Sequence, residues 1–129
     1  MYIADGKTNG PAFSWPDGTR IAVMVTFDYD AEFLRISRAK SKGTSIGFTD
    51  FSRGQYGPHE GLARCLDMLD TMNIKSTFFV PGAVIETYRD TVEEIHRRGH
   101  ELACHGYRHE SDPELSRDEM IKILEKSEA

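Results

Sequence analysis

The sequence predicts an α/β fold in which parallel strands and helices alternate as β-α-β-α-β-α. Three observations carry that prediction. Residues 21–27 (IAVMVTF) form a nearly continuous apolar, β-rich run, the pattern of a strand covered on both faces. Residues 74–80 (IKSTFFV) read as a second strand, broken by Pro81-Gly82, and residues 100–104 as a short third one. The segments between and after them carry apolar residues at helical spacing, which argues for right-handed crossovers onto a parallel sheet. Three strands neither close a barrel nor fill a doubly wound sheet, so the 129 residues read as the front part of a larger architecture, one partial domain over 1–129.

Residues 1–20 are rich in Gly, Pro, Asp and Ser and read as an irregular lead-in, ending on the turn signal Pro16-Asp17-Gly18. The first strand stops at Asp28. Residues 31–57 are polar, contain glycines and hold a basic cluster of Arg35, Arg38, Lys40 and Lys42; they read as a long loop near a site. Pro58 fits the first turn of a helix, whose apolar stripe is Leu62, Cys65, Leu66, Leu69 and Met72. Asn73 ends it, and Pro81-Gly82 breaks the second strand. Residues 83–98 read as one helix with Val84, Tyr88, Val92, Ile95 and His96 inward and Gly99 as its C-terminal cap. The last helix, 115–127, carries Met120, Ile121 and Leu124 at helical spacing, with Asp112 and Ser116 as candidate N-caps.

Composition narrows the function classes. With 16 basic and 21 acidic side chains the net charge is −5, which argues against nucleic-acid or anionic-membrane binding driven by charge. No apolar run approaches the ~20 residues needed to span a bilayer. Two cysteines, Cys65 and Cys104, are too few for a disulfide framework. The first ten residues lack the pattern of a signal peptide. A soluble, cytoplasmic protein with reduced thiols is the expectation.

Chemistry concentrates at two strand ends. The first strand leaves through F-D-Y-D-A-E, so an extended chain points the carboxylates of Asp28 and Asp30 the same way and Tyr29 the opposite way. The third leaves through C-H-G-Y-R-H, with His105 at its end and His109 four residues later. Ligands of parallel α/β folds collect outside the carboxyl ends of strands, and both clusters fall there independently. Two imidazoles and one carboxylate are a common set for a catalytic transition metal. A second, unliganded Asp beside a metal-bound water can take its proton, leaving a hydroxide to attack an ester or amide carbonyl.

Other residues have competing readings. Tyr29, Glu32, Tyr56, His59 and Tyr107 are candidate substrate contacts. Against that role, Tyr29 and Tyr107 read as wall or core residues, Glu32 as a solvated loop residue and His59 as exposed. His96 and His100 also stand four apart, but Gly99 lies between them, and His100 reads as a partner for backbone groups where the third strand starts. Alternation sends Cys104 to the face opposite His105, and Cys65 reads as a small buried hydrophobe.

These motifs resemble those of the polysaccharide deacetylase (NodB-homology) family. F-D-Y-D-A-E resembles its first motif and H-G-Y-R-H its zinc-binding second motif; S-T-F-F-V-P-G and R-R-G-H-E-L-A-C-H-G resemble connecting segments in the expected order. The similarity runs from about Trp15 to Glu128. It implies the N-terminal portion of a distorted (β/α) barrel, with Asp28 as base, Asp30, His105 and His109 as metal ligands, and one divalent ion, zinc or another transition metal. The spaced aspartates, the A-E continuation and S-R-G-Q-Y-G-P at 52–58 resemble the branch holding peptidoglycan deacetylases and cyclic imide hydrolases. The implied function is metal-dependent hydrolysis of non-peptide carbon–nitrogen bonds, either N-deacetylation of an amino-sugar polymer or related amide, or opening of a cyclic imide or ureide. The implied partner is a small molecule or oligosaccharide. The family's later motifs, including its general acid, are absent from these 129 residues. A fragment that binds metal without turnover, barrel segments supplied by a homo-oligomer or another chain, and a protein-binding module resting on the 31–57 loop are the remaining readings.

Overall fold

The computed structural model describes residues 15–110 and 115–128. Its centre is a sheet of three parallel strands in the order β1-β2-β3: β1 Thr26–Asp28, β2 Thr77–Val80 and β3 Glu101–Cys104. The register aligns Asp28 with Phe79 and Phe79 with Ala103, so the three strands end at one level on one side.

The first strand is shorter than its apolar run. Only Thr26–Asp28 pair with β2, while Ile21, Val23 and Met24 are 74%, 81% and 87% exposed. β1 is an edge strand of the described sheet, and no described element covers 21–24. Burial on both faces, which the sequence pattern implies, is therefore not found there.

A second departure concerns residues 31–57, read as a loop. They contain α1 (Phe33–Ser41) and α2 (Phe48–Tyr56). α1 has no fully buried residue, so its sequence lacks the apolar stripe that announces a core helix. α2 holds Gly54, ordinarily a helix-weakening residue. Here the glycine is needed, because a Cβ at 54 would overlap Glu32 Cα and lie 2.7 Å from Glu32 Cβ. A wide π turn, Gly57–Gly61, joins α2 to α3 (Leu62–Met72). Pro58 sits in that turn rather than at a helix start, where the missing N–H is absorbed by the altered hydrogen-bond pattern. Asn73 ends α3 in the left-handed conformation (φ 53°), and Ile74 N–H donates to the Leu69 carbonyl at 2.9 Å.

α3 lays Leu62, Leu66 and Leu69 against Phe78 and Val80 of β2; Met72, at the end of the same stripe, is exposed and Cys65 half-buried. Each such buried side chain contributes about 1.5–3 kcal/mol. The helix predicted over 83–98 is two helices, α4 (Gly82–Thr87) and α5 (Arg89–Arg97), broken at Tyr88 (φ −126°, ψ 44°). The break turns the Tyr88 hydroxyl onto the Glu32 carboxylate, and the Thr91 hydroxyl closes it by donating to the Tyr88 carbonyl at 2.7 Å. Val84, Val92 and Ile95 face the core as predicted, whereas His96 is exposed. Gly99 (φ 76°) closes α5 with an N–H donated to His96, and the buried His100 accepts the Ser76 N–H on Nδ1 at 3.2 Å.

α6 (Arg117–Glu128) starts on a capping box in which the Ser116 N–H donates to Glu119 Oε2 at 2.8 Å and the Glu119 N–H to Ser116 Oγ at 3.4 Å. Asp112, the alternative cap, lies outside the described residues. Met120, Ile121 and Leu124 remain largely exposed, so the apolar spacing of this helix does not mark burial within the described residues. No described helix is long and apolar enough to cross a membrane.

The Gly54 contact yields a direct expectation. Gly54→Ala forces α2 away from Glu32 and lowers stability by about 1–3 kcal/mol in urea unfolding. An unchanged midpoint would show that α2 does not pack there as closely as described.

Candidate metal centre

The strand register builds this centre. Asp28 and Ala103 stand at the same level, so two residues further on Asp30 and His105 leave the sheet side by side. Pairing continues one step beyond β1, with the Tyr29 N–H donating to the Phe79 carbonyl at 2.9 Å. The chain then turns through Ala31 (φ 49°), and the Asp30 carbonyl accepts the Phe33 N–H at 3.0 Å as α1 begins.

The His105–His109 segment reverses through Gly106 (φ 71°) and His109 (φ 60°). Three neighbours hold it. The N–H groups of Gly82 and Ala83 at the start of α4 donate to the carbonyls of Gly106 and Tyr107 at 3.0 and 2.8 Å. Glu110 accepts the N–H groups of Tyr107 and Arg108 at 3.0 and 2.9 Å. Ser37 on α1 donates its hydroxyl to the His109 carbonyl at 2.8 Å. The second histidine is thus fixed by backbone contacts from two helices and its own loop.

Asp30, His105 and His109 each present a ligand atom, and these atoms lie within 4.8 Å of one another. His105 Nε2 is 3.3 Å from Asp30 Oδ1, and His109 Nε2 is 3.7 Å from Asp30 Oδ2. The imidazoles stand edge to face with centroids 4.8 Å apart. Asp30 Oδ1 and His105 Nε2 are both buried without a hydrogen-bond partner. Unsatisfied buried polar atoms are costly, and two of them facing each other from different strands fit a shared cation. Two nitrogens and one carboxylate oxygen are also the donor types of catalytic divalent sites. The residues therefore fit a metal ion.

Burial pushes the Asp30 carboxyl above the usual carboxylate range, opposed by the positive potential of His109 and His105 and reinforced by the negative charge of Asp28; the Arg38 guanidinium also draws it down. Asp28 itself is exposed. It stands on the rim of a groove of about 440 Å³ with Phe27, Tyr56, Leu62 and Met68 among its walls.

The five candidate substrate contacts separate. Tyr56 is 54% exposed and lines the groove beside Asp28. Tyr29 borders that groove with its ring but is buried, its hydroxyl within 2.8 Å of Thr91 Oγ1, and burial pushes its pKa up to about 12. Tyr107 is buried and donates to Glu86 Oε2 at 2.8 Å, away from the imidazoles of its own motif. Glu32 is not a solvated loop residue: it is 5% exposed, and its two oxygens take the Tyr88 hydroxyl at 3.0 and 2.9 Å. Its hydrogen bond and burial together raise the Tyr88 pKa, burial being the larger cause. His59 is exposed, edge-on to Tyr88. His96, His100 and the exposed Cys104 take no part in the cluster. Sequence reasoning missed Ser37, Tyr88 and Glu110, which hold the chain around Asp30 and His109. Only Glu110, following H-G-Y-R-H directly, had a positional signal.

Comparison with known proteins places the chain among relatives of similar sequence and fold. A peptidoglycan deacetylase-like protein of Gibberella zeae is 31% identical over 83% of this chain and 32% of its own length. A peptidoglycan deacetylase of Helicobacter pylori is 33% identical over 60% of the chain and 27% of its own length. Among solved structures, one from Mycobacterium smegmatis described as a candidate polysaccharide deacetylase superposes with a TM-score of 0.79 at 39% identity, covering 92% of this chain and 41% of that one. The Puue allantoinase superposes at 0.76 with 19% identity over 88% of this chain and 42% of its own, a likeness of fold. The chain spans less than half the length of these relatives. With the sheet and its helices forming a partial α/β barrel, and the polysaccharide deacetylase family model matching residues 16–129, the chain belongs to the polysaccharide deacetylase family.

Proposed function

We propose that the protein is a metal-dependent hydrolase of carbon–nitrogen bonds other than peptide bonds, and that it removes an acetyl group from an amino-sugar polymer or a related amide. One observation carries the reading: Asp30, His105 and His109 converge with two buried, unpartnered atoms, while Asp28 stands exposed two residues from Asp30. The two relatives named as peptidoglycan deacetylases or deacetylase-like proteins support an acetylated sugar as the substrate.

In this reading Asp30, His105 and His109 hold a divalent ion, zinc being the match for two nitrogens and one oxygen. When bound, the ion acidifies water and polarises a carbonyl oxygen. Asp28 accepts the proton of the attacking water on its carboxylate, a role open to it because it lies outside the ligand cluster and keeps its solvent access. The groove lined by Phe27, Tyr56, Leu62 and Met68 receives the substrate alongside, its apolar walls shielding one side of the reacting carbonyl from water.

Zinc content and turnover test these roles separately. Asp30→Ala and His105→Ala each weaken zinc binding by more than the ~10–100-fold that follows loss of an outer-shell partner, as read by competition with a chromogenic chelator. Unchanged affinity in either variant would remove that residue from the ligand set.

Asp28→Asn retains zinc but loses about 10²- to 10⁴-fold in acetate release from acetylated chitooligomers. A wild-type rate in that variant contradicts the base assignment. Opening of succinimide without acetate release would move the substrate to the cyclic imides.

Acidity should act through Asp30. Its folded-state pKa is raised, so in the metal-free protein stability falls as pH rises from the ordinary carboxylate value through the folded one. Metal needs the ionised carboxylate, so zinc affinity falls as pH drops through that same raised range, with proton release on binding measurable by calorimetry in two buffers. Affinity independent of pH there would contradict a ligating Asp30.

A further inference from the structure

A second concave site lies between α1 and α2. It is a cavity of about 230 Å³ whose charged walls are Arg35, Arg38, Lys42 and Asp50, with the Ser45 hydroxyl on the same wall. Residues 33–49 contain four basic and no acidic side chains, within a chain whose net charge is −5. The one carboxylate in the wall is already compensated: Asp50 Oδ1 lies 3.5 Å from Arg35 and 3.9 Å from Arg53. Arg38 and Lys42 have no carboxylate within salt-bridge distance among the described residues, so the cavity keeps an excess of positive charge. Cations near a helix C-terminus also complement its dipole. A dipole, however, needs no cavity, whereas a concave wall with spare donors is what an anion requires.

Helix α1 links this cavity to the candidate metal centre. α1 begins three residues after Asp30, and Ser37, the residue before Arg38, donates its hydroxyl to the His109 carbonyl at 2.8 Å. The cavity is smaller than the ~300 Å³ at which ordinary ligand pockets begin, which suits one charged group rather than a whole ligand. We propose that the basic cleft between α1 and α2 is an anion-binding subsite that holds a carboxylate or phosphate group of the substrate. The naming of the substrate as the source of the anion rests on the hydrolase reading above; the binding of an anion in the cleft does not. Such a subsite would favour acidic amides over neutral ones, even though the protein as a whole is acidic.

The test is a titration of the isotope-labelled, metal-free protein with inorganic phosphate and, separately, with acetate at fixed ionic strength, followed by amide NMR. Saturable shifts at Arg38, Lys42, Ser45 and Gly47 are expected, and the double variant Arg38→Gln/Lys42→Gln should weaken them about tenfold. Tighter binding of phosphate or of acetate identifies which anion the cleft takes, and either supports the proposal. α1 has no buried residue, so the double variant should keep its fold by circular dichroism. Arg38 acts on Asp30, so Lys42→Gln alone is the variant for zinc affinity and turnover, and chelator competition should find its zinc affinity unchanged. Shifts confined to His105 and His109, or identical titrations of wild type and double variant, would overturn the subsite while leaving the hydrolase reading intact. Wild-type turnover of neutral chitooligomers by Lys42→Gln, with a raised KM for carboxylated ones, is the matching kinetic signature.

Discussion

The convergence of Asp30 with His105 depends on the parallel register of three short strands. Because Asp28, Phe79 and Ala103 share one level, Asp30 and His105 emerge together although 75 residues separate them in the chain. A slip of one residue in either pairing would send one of the two to the opposite face of the sheet. The apolar packing of Phe78 and Val80 against α3, α4 and α5 holds that register, so the core acts on chemistry at the strand ends without touching it. Phe27 stacked on Phe78, with ring centroids 5.1 Å apart, fixes the outer strand to the middle one.

A polar link runs beside the core on the same side. The Tyr29 hydroxyl meets Thr91, Thr91 closes the break between α4 and α5, and Tyr88 at that break donates to buried Glu32. Glu32 lies two residues beyond Asp30 and is pressed by Gly54 of α2. The residues that follow the ligand are thereby tied to two separate helices. This explains why the helix break falls at Tyr88, where neither proline nor glycine stands.

The clustering of Asp30 with His105 and His109 was legible in the sequence because strand ends are marked by an abrupt change from apolar to polar residues. F-D-Y-D and C-H-G-Y-R-H both fall at such a change, and the fold rule for parallel sheets supplies the rest. What stayed hidden follows from the same dependence on apolar contrast. α1 buries no residue completely and α2 carries a glycine, so both read as loop, and with them went Ser37 and the cleft beneath Arg38 and Lys42. Residues 21–24 gave the opposite error, since their apolarity promised cover that the described residues do not provide. Glu32 looked solvated because no periodicity announces a carboxylate buried by a tyrosine 56 residues away. Tyr107 looked like part of the site because sequence adjacency to His105 hides the turn that sends its ring to α4.

The proposed chemistry requires Asp30, His105 and His109 to form one metal site with Asp28 outside it. Anomalous scattering from a zinc-soaked crystal, measured on both sides of the metal edge, tests this most directly. A single strong peak is expected about 2.0–2.2 Å from one Asp30 oxygen and from both Nε2 atoms, with Asp28 unliganded. A peak coordinated by Asp28, or by His96, His100 or Cys104 in place of the two histidines, would contradict it.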